Sequence, residues 1–336
     1  MREESRALLS RIDAARERGG LRGHYESHFL RANHPSRPLA FWIRHTLFIP
    51  RAHPADAVGE MWAVYFDGET GGHVALKRAY PVGECAFDAT SLRVAIGEAH
   101  LDGQGLRGGI HGERHSIDWE LETEGAEAPL LLLPRRLYET RFPAAKSFVG
   151  LPLARFRGTL AVDGGQVAID DWTGSRNHNW GTRHTDRYAW GQVAGFDNSP
   201  DSFLELATAQ LRIGPLWSPA FTPIVLRHRG EDYALNGLAR SLRARGEFEY
   251  FSWRFSSQTS RVEIDGEISA PREAFVALEY FNPPGGSKQC LNTKIASCRV
   301  HLRDRERGLD ETLATKHRAA FEILTDDREH GVPISV

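Results

Sequence analysis

Cysteine is scarce in this 336-residue chain: Cys85, Cys290 and Cys298 are the only three. An odd, sparse set fits a reducing compartment and not a disulfide framework. No CxxC pair occurs, which excludes a cysteine-based zinc module. Long hydrophobic runs are lacking as well. The longest aliphatic stretch is PLLLLP, Pro129 to Pro134, far short of the roughly 20 apolar residues that span a bilayer. Charge of one sign is missing too. Lys and Arg number 42 against 44 Asp and Glu, a formal net charge of -2, so no global field draws the protein to nucleic acid or anionic lipid. The opening MREESRALLSRID is charged throughout and has no apolar h-region, so it does not read as a secretory leader. These absences lead to a cytoplasmic protein with no nucleic-acid partner and no transmembrane segment; peripheral contact with a membrane stays open.

Several catalytic signatures are absent. There is no GxSxG elbow for a serine nucleophile and no GxxxxGK[ST] phosphate loop. His178 and His184 are spaced six apart, which fits neither HExxH nor a Cys/His module, so no metal is expected. Strands do not alternate with helices, which argues against a doubly wound α/β fold.

What is there is short-period alternation. Ile117, Trp119 and Leu121 share one side of SIDWELE, with Asp118 and Glu120 on the other. Phe251, Trp253 and Phe255 alternate in YFSWRFS, and Val262, Ile264 and Ile268 in SRVEIDGEIS. Asp163-Gly164-Gly165 joins two strands in RFRGTLAVDGGQVAIDDW as a hairpin. The 32 glycines and 17 prolines are spread between the runs as turn punctuation. Only Arg2–Arg18 has helical spacing, stopped by Gly19 and Gly20. Many short strands with regular turns predict antiparallel sandwiches or barrels. Two β units are expected to meet around residues 150–190. HYESHFLRANHPSRPLAFWIRHTLF and RYAWGQVAGFDNSPDSFLELATAQL, which open them, suggest a duplication.

The densest polar stretch is SRNHNWGTRH, Ser175 to His184. On a strand, Asn177 and Asn179 share one face while His178 and Trp180 share the other. His178 and Trp180 then point together, into a cavity or toward the other unit. An imidazole moves protons near neutral pH, and an indole face stabilises a cation. Alternatively, these polar groups satisfy buried backbone where two units join. Asp197 ends an apolar strand, either as an Asx turn or as an acid at a barrel mouth. Cys290, flanked by Lys288, Asn292 and Lys294, has no paired histidine in the sequence and reads as structural, as does Cys298.

Gly174, His178, Asn179, Trp180, Gly181, His184, Trp190, Gly191 and Gln192 together resemble the motif of a two-domain lipocalin-like family. That group includes bacterial carotenoid hydratases (hydroxyneurosporene synthases), AttH-type proteins, fungal Diels–Alderases and, more distantly, plant tocopherol cyclases. YESHFLRANHP and CLNTKIASCRVHL echo it near the two ends. The resemblance implies an all-β fold of tandem lipocalin-like (calycin) antiparallel barrels, to which the helical spacing adds a short N-terminal helix. The expected division is a helix at 1–20, a first barrel at 21–185 and a second at 186–336. It also implies an apolar unsaturated substrate (isoprenoid, polyene or polyketide) that is hydrated, cyclised or isomerised without a redox cofactor. The alternative is a non-catalytic carrier of such a ligand. In the hydratases a His-x-Trp pair and a downstream aspartate are implicated, which here gives His178, Trp180 and Asp197. Gly195 stands where the hydratases carry a tyrosine. Trp190, Asn179, His184, Gln192 and Trp172 complete the expected pocket, and no metal or other cofactor is implied.

Overall fold

The computed structural model describes residues 23–88 and 91–336. The helix expected over Arg2–Arg18 lies outside them. The chain is nearly all-β, one nearly closed barrel and one half-barrel. It is built from a 12-stranded and a 10-stranded antiparallel sheet.

Both sheets repeat one strand order. In the first, strand His24–Asn33 is followed outward by Leu39–Ile49, Val58–Asp67 and Val74–Pro81. On its other side lie the later strands Gly165–Gly181, Ala145–Val162, Ser116–Glu124 and Gly105–His111. In the second, Arg187–Phe196 is followed outward by Ser199–Gln210, Ile224–His228 and Glu231–Leu235. On its other side lie Leu309–Thr325, Ser287–Asp304, Val262–Ser269 and Ser252–Gln258. In each sheet the first strand therefore pairs with the last, and the two stretches that suggested duplication are the two equivalent opening hairpins.

Local chemistry accounts for the strands. Ile117, Trp119 and Leu121 are buried on one face. Asp163 and Gly164 both take positive φ, +52° and +80°, as a two-residue type I′ hairpin requires. Trp253, Phe255, Val262, Ile264 and Ile268 are buried as their alternation predicts. Phe251 differs, because it sits in the preceding turn at φ +74°. The 18-residue strands Ala145–Val162 and Ser287–Asp304 each bend at β-bulges, which lets so long a strand curl around a core. Gly103–Gly108 spells GxGxxG, yet it leads into a strand and no helix follows, so it makes no dinucleotide loop.

Two large cores result. One lies inside the first sheet, around Phe41, Ile43, Trp119, Phe156 and Trp172. The other lies between the sheets. It packs Phe29, Trp42, Trp62 and Phe66 of the first against Trp190, Trp253, Tyr280 and Phe321 of the second. No helix among the described residues is long and apolar enough to cross a membrane.

Candidate functional site

The stretch Ser175 to His184 begins as strand and ends in a turn. Its first part continues strand Gly165–Gly181, paired on one side with His24–Asn33 and on the other with Ala145–Val162. Gly174 and Gly181 bracket it because neighbouring backbone comes too close for a side chain. A Cβ at Gly174 would meet the Arg31 carbonyl, and one at Gly181 the Ala144 carbonyl. Alternation then divides the side chains between two environments.

Ser175 and Asn177 face the second sheet, where Gln192 is the hub. Its carbonyl oxygen accepts from Arg31 Nε at 2.8 Å and Ser175 Oγ at 2.6 Å. Its amide donates to Asn177 Oδ1 at 2.8 Å and Glu205 Oε2 at 2.7 Å. Trp190 Nε1 donates to the other Glu205 oxygen at 2.9 Å. Burial is the main influence on Glu205, raising its pKa to about 7. Beside it the Lys294 ammonium lies 5.6 Å from the ring centroids of both Trp42 and Trp190 and donates to Glu322 at 2.7 Å. His184 lies in the same seam. It is 4.2 Å from the Tyr25 ring centroid, with Nε2 3.2 Å from the Phe281 carbonyl, and burial lowers its pKa to about 3. Asn179 leaves its buried Oδ1 without a hydrogen bond.

His178 and Trp180 face the inside of the first barrel. Their rings lie 4.8 Å apart. His178 Nε2 is 2.9 Å from Glu26 Oε1, and the imidazole stacks on His28 at 4.2 Å with the planes 15° apart. His28 Nε2 lies 3.8 Å from the same carboxylate oxygen, and His24 Nε2 lies 3.6 Å from the other. Among the described residues, Glu26, His28 and His178 are the one group of three whose donor atoms lie within 4.8 Å of one another. One strand further along the same row, His45 stands directly across from His28. It is wholly buried, neither ring nitrogen has a hydrogen-bond partner, and burial lowers its pKa to about 3. Leu133, Leu137, Tyr138, Phe148 and Trp180 form an apolar wall here, closed by Phe221 and Leu238 from the second half of the chain.

The structure thus brings His178 and Trp180 together and parts them from Trp190, Gln192 and His184, which belong to the seam between the sheets. Trp172 packs in the first barrel's core, stacked on Phe41 at 6.1 Å. Asp197 lies elsewhere, in the turn between Arg187–Phe196 and Ser199–Gln210. It accepts from Thr315 Oγ1 and Lys316 N, both at 2.9 Å, and lines a groove of about 870 Å³ with Ser297, Cys298 and His301. Cys290 and Cys298 are buried thiols whose pKa burial pushes up, as inert cysteines require. Glu26 and His28 escaped the sequence reading. The signal was His24-x-Glu26-x-His28, a period-two row on the strand that pairs with the motif.

No family model matches the chain. A crystal structure of an AttH-like protein of Nitrosomonas europaea superposes with TM-score 0.52 and 12% identity, covering 90% of this chain and 91% of that one. The fold is that of the AttH-like lipocalin proteins. Kievitone hydratase of Nectria haematococca shares it, with TM-score 0.56 and 11% identity over 90% of this chain and 89% of that one. In sequence, an uncharacterised protein found in two strains of Mycobacterium tuberculosis is 27% identical over 292 residues, 84% of this chain and 82% of the relative. The AttH-like fold agrees with the resemblance carried by Gly174 to Gln192.

Proposed function

We propose that the chain binds an apolar unsaturated small molecule at the inner face of its first barrel and hydrates, cyclises or isomerises it by proton transfer through His178. The observation that carries this reading is the His178–Glu26 pair at 2.9 Å, set beside the Trp180 indole and the apolar wall. Attacking an alkene takes an acid aimed at carbon, a dry wall and a π face for the resulting cation. The His178 imidazolium gives its proton to one alkene carbon, and the other becomes cationic. Glu26 stabilises the imidazolium before transfer. The Trp180 face stabilises the carbocation, by about 2 kcal/mol or more in a desolvated site. Water adds to the cation and its extra proton returns to His178. Alternatively, a neighbouring double bond adds and closes a ring, or a vicinal proton leaves and the double bond moves. No redox cofactor enters. In this reading the carboxylate partner is Glu26, with Asp197 holding a turn. A hydratase of this fold among the structural neighbours supports the class of chemistry.

Membrane contact belongs to the same proposal. A two-stranded hairpin, Arg212–Ile213 with Leu216–Trp217, exposes Ile213, Leu216 and Trp217. The chain beyond it reaches Phe221, which packs on the apolar wall of the site. A lipid surface would supply the ligand there.

The test starts with solvent extraction of protein purified from its own host and mass spectrometry of the extract. The compound found is then incubated with protein in deuterated water. Wild type should place deuterium on carbon. H178Q should lose that by about 100-fold or more, the scale of general acid catalysis, while still holding the compound. Equal incorporation by H178Q rejects proton transfer through this residue. Retention of the compound with no incorporation by wild type leaves carriage alone.

A further inference from the structure

We propose that Glu26, His28 and His178 form a binding site for one divalent transition-metal ion of the zinc type. The inference shares its location with the reading above and rests on that placement, but not on the proton chemistry.

Two imidazole nitrogens and one carboxylate oxygen are the ligands that hold zinc in open, water-bearing sites. Two bonds of about 2.05 Å at a tetrahedral angle place donor atoms about 3.3 Å apart. The Glu26 Oε1 separations, 2.9 Å to His178 Nε2 and 3.8 Å to His28 Nε2, bracket that value. Two imidazoles on one ion splay from each other, so loading opens the 15° stack by a small ring rotation.

His28 and His178 are directly opposed residues of two paired strands, and Glu26 is two residues before His28 on the same face. Strands fix such directions more firmly than loops do. His24, 3.6 Å from the second Glu26 oxygen, holds the carboxylate from outside the trio, as partners of metal ligands commonly do.

The independent observation is His45. It lies across from His28 on the same inner face, wholly buried, with both ring nitrogens unpartnered. Buried polar groups are nearly always hydrogen-bonded. An imidazole left so, beside three converging donors, marks an interior shaped around a polar guest. A metal-bound water is such a guest.

The other histidine–carboxylate clusters lack this setting. His111 with Asp118, His115 with Asp163, His228 with Glu311, and His301 between Asp265 and Asp310 offer a single imidazole each.

Loaded, the ion supplies Lewis acidity and an acidified water at the same spot.

The test uses the full chain, stripped with EDTA, desalted and titrated with cobalt(II). Visible absorption and calorimetry read the binding, and zinc serves as competitor. Wild type should bind one equivalent with the d–d bands of a four- or five-coordinate ion, displaced by zinc. H28A and E26Q should lose stoichiometric binding. H24A should weaken it by about 10–100-fold, the usual cost of an outer partner. H111A, at the surface, should bind as wild type does. H28Q replaces H28A if circular dichroism shows that H28A has not folded. Absence of an equivalent of bound cobalt in wild type overturns the proposal, as does wild-type affinity in a folded His28 variant. Run on EDTA-stripped protein, the deuterium test is independent of either result, so the two readings stand or fall separately.

Discussion

At the scale of the residue, the chain keeps two histidines buried and neutral. His45 and His184 have their pKa lowered from 6.5 to about 3, chiefly by burial. The unfolded chain takes up protons at both below pH 6.5, and the folded chain does not until about 3. Stability from these sites is full above 6.5 and falls as pH drops toward 3. At pH 5 the loss is about 2 kcal/mol each. H45F should therefore remove about one proton of uptake, flattening the pH slope of stability between 6.5 and 3.5. Urea unfolding of both proteins across that range reads it, and an unchanged slope would show that His45 is not held neutral. His178 has a different setting. Its partner is a side-chain carboxylate from another strand, not backbone, and the deuterium experiment reads its role directly. Sequence reasoning put His178 and Trp180 side by side because one strand carries both. It did not place Glu26 and His28 beside them because pairing register, not sequence distance, brings Glu26 to His178 across 152 positions.

At the scale of the element, the motif strand is a partition. Ser175 and Asn177 build the seam while His178 and Trp180 point to the opposite face, so one strand contributes to two separate environments. Asn177 and Ser175 lock the sheets together, while His178 packs against Trp180 and Phe148 of the apolar wall. The seam is ionic as well as polar. Lys294 is fully buried against Glu322, with Asn292 bridging. K294M leaves the Glu322 carboxylate uncompensated and should cost about 3–5 kcal/mol in urea unfolding. The double variant K294M/E322L should recover most of that loss, because an apolar pair replaces an ion pair at little cost. A double variant as unstable as K294M would mean that the lysine acts through packing alone.

At the scale of the whole molecule, a repeated strand order builds two sheets that share a core and together complete one apolar cluster around Trp180. The exposed hairpin carrying Ile213, Leu216 and Trp217 stands at the end of the segment that supplies Phe221 to that cluster. If lipid delivers the ligand, the wild-type protein should co-sediment with vesicles, and I213S/W217S should lose most of that binding. Equal sedimentation of the two proteins rejects the hairpin as the contact. The variant should keep its thermal stability, since the side chains removed are largely in solvent.

The sequence by itself determined the class of fold. Alternation of apolar residues is a local property of a strand, so Ile117, Trp119, Leu121, Trp253 and Ile264 announced their burial without knowledge of their neighbours. Asp163-Gly164 announced its turn because only a few residue types tolerate positive φ twice in succession. Tertiary structure alone decided which face of Ser175–Gly181 meets which partner, since period two assigns two faces but not what covers them. It also decided that Glu26, His28 and His178 meet while Asp197 stays in a turn elsewhere. Register between distant strands is set by packing over the whole sheet, and no stretch of neighbouring residues records it.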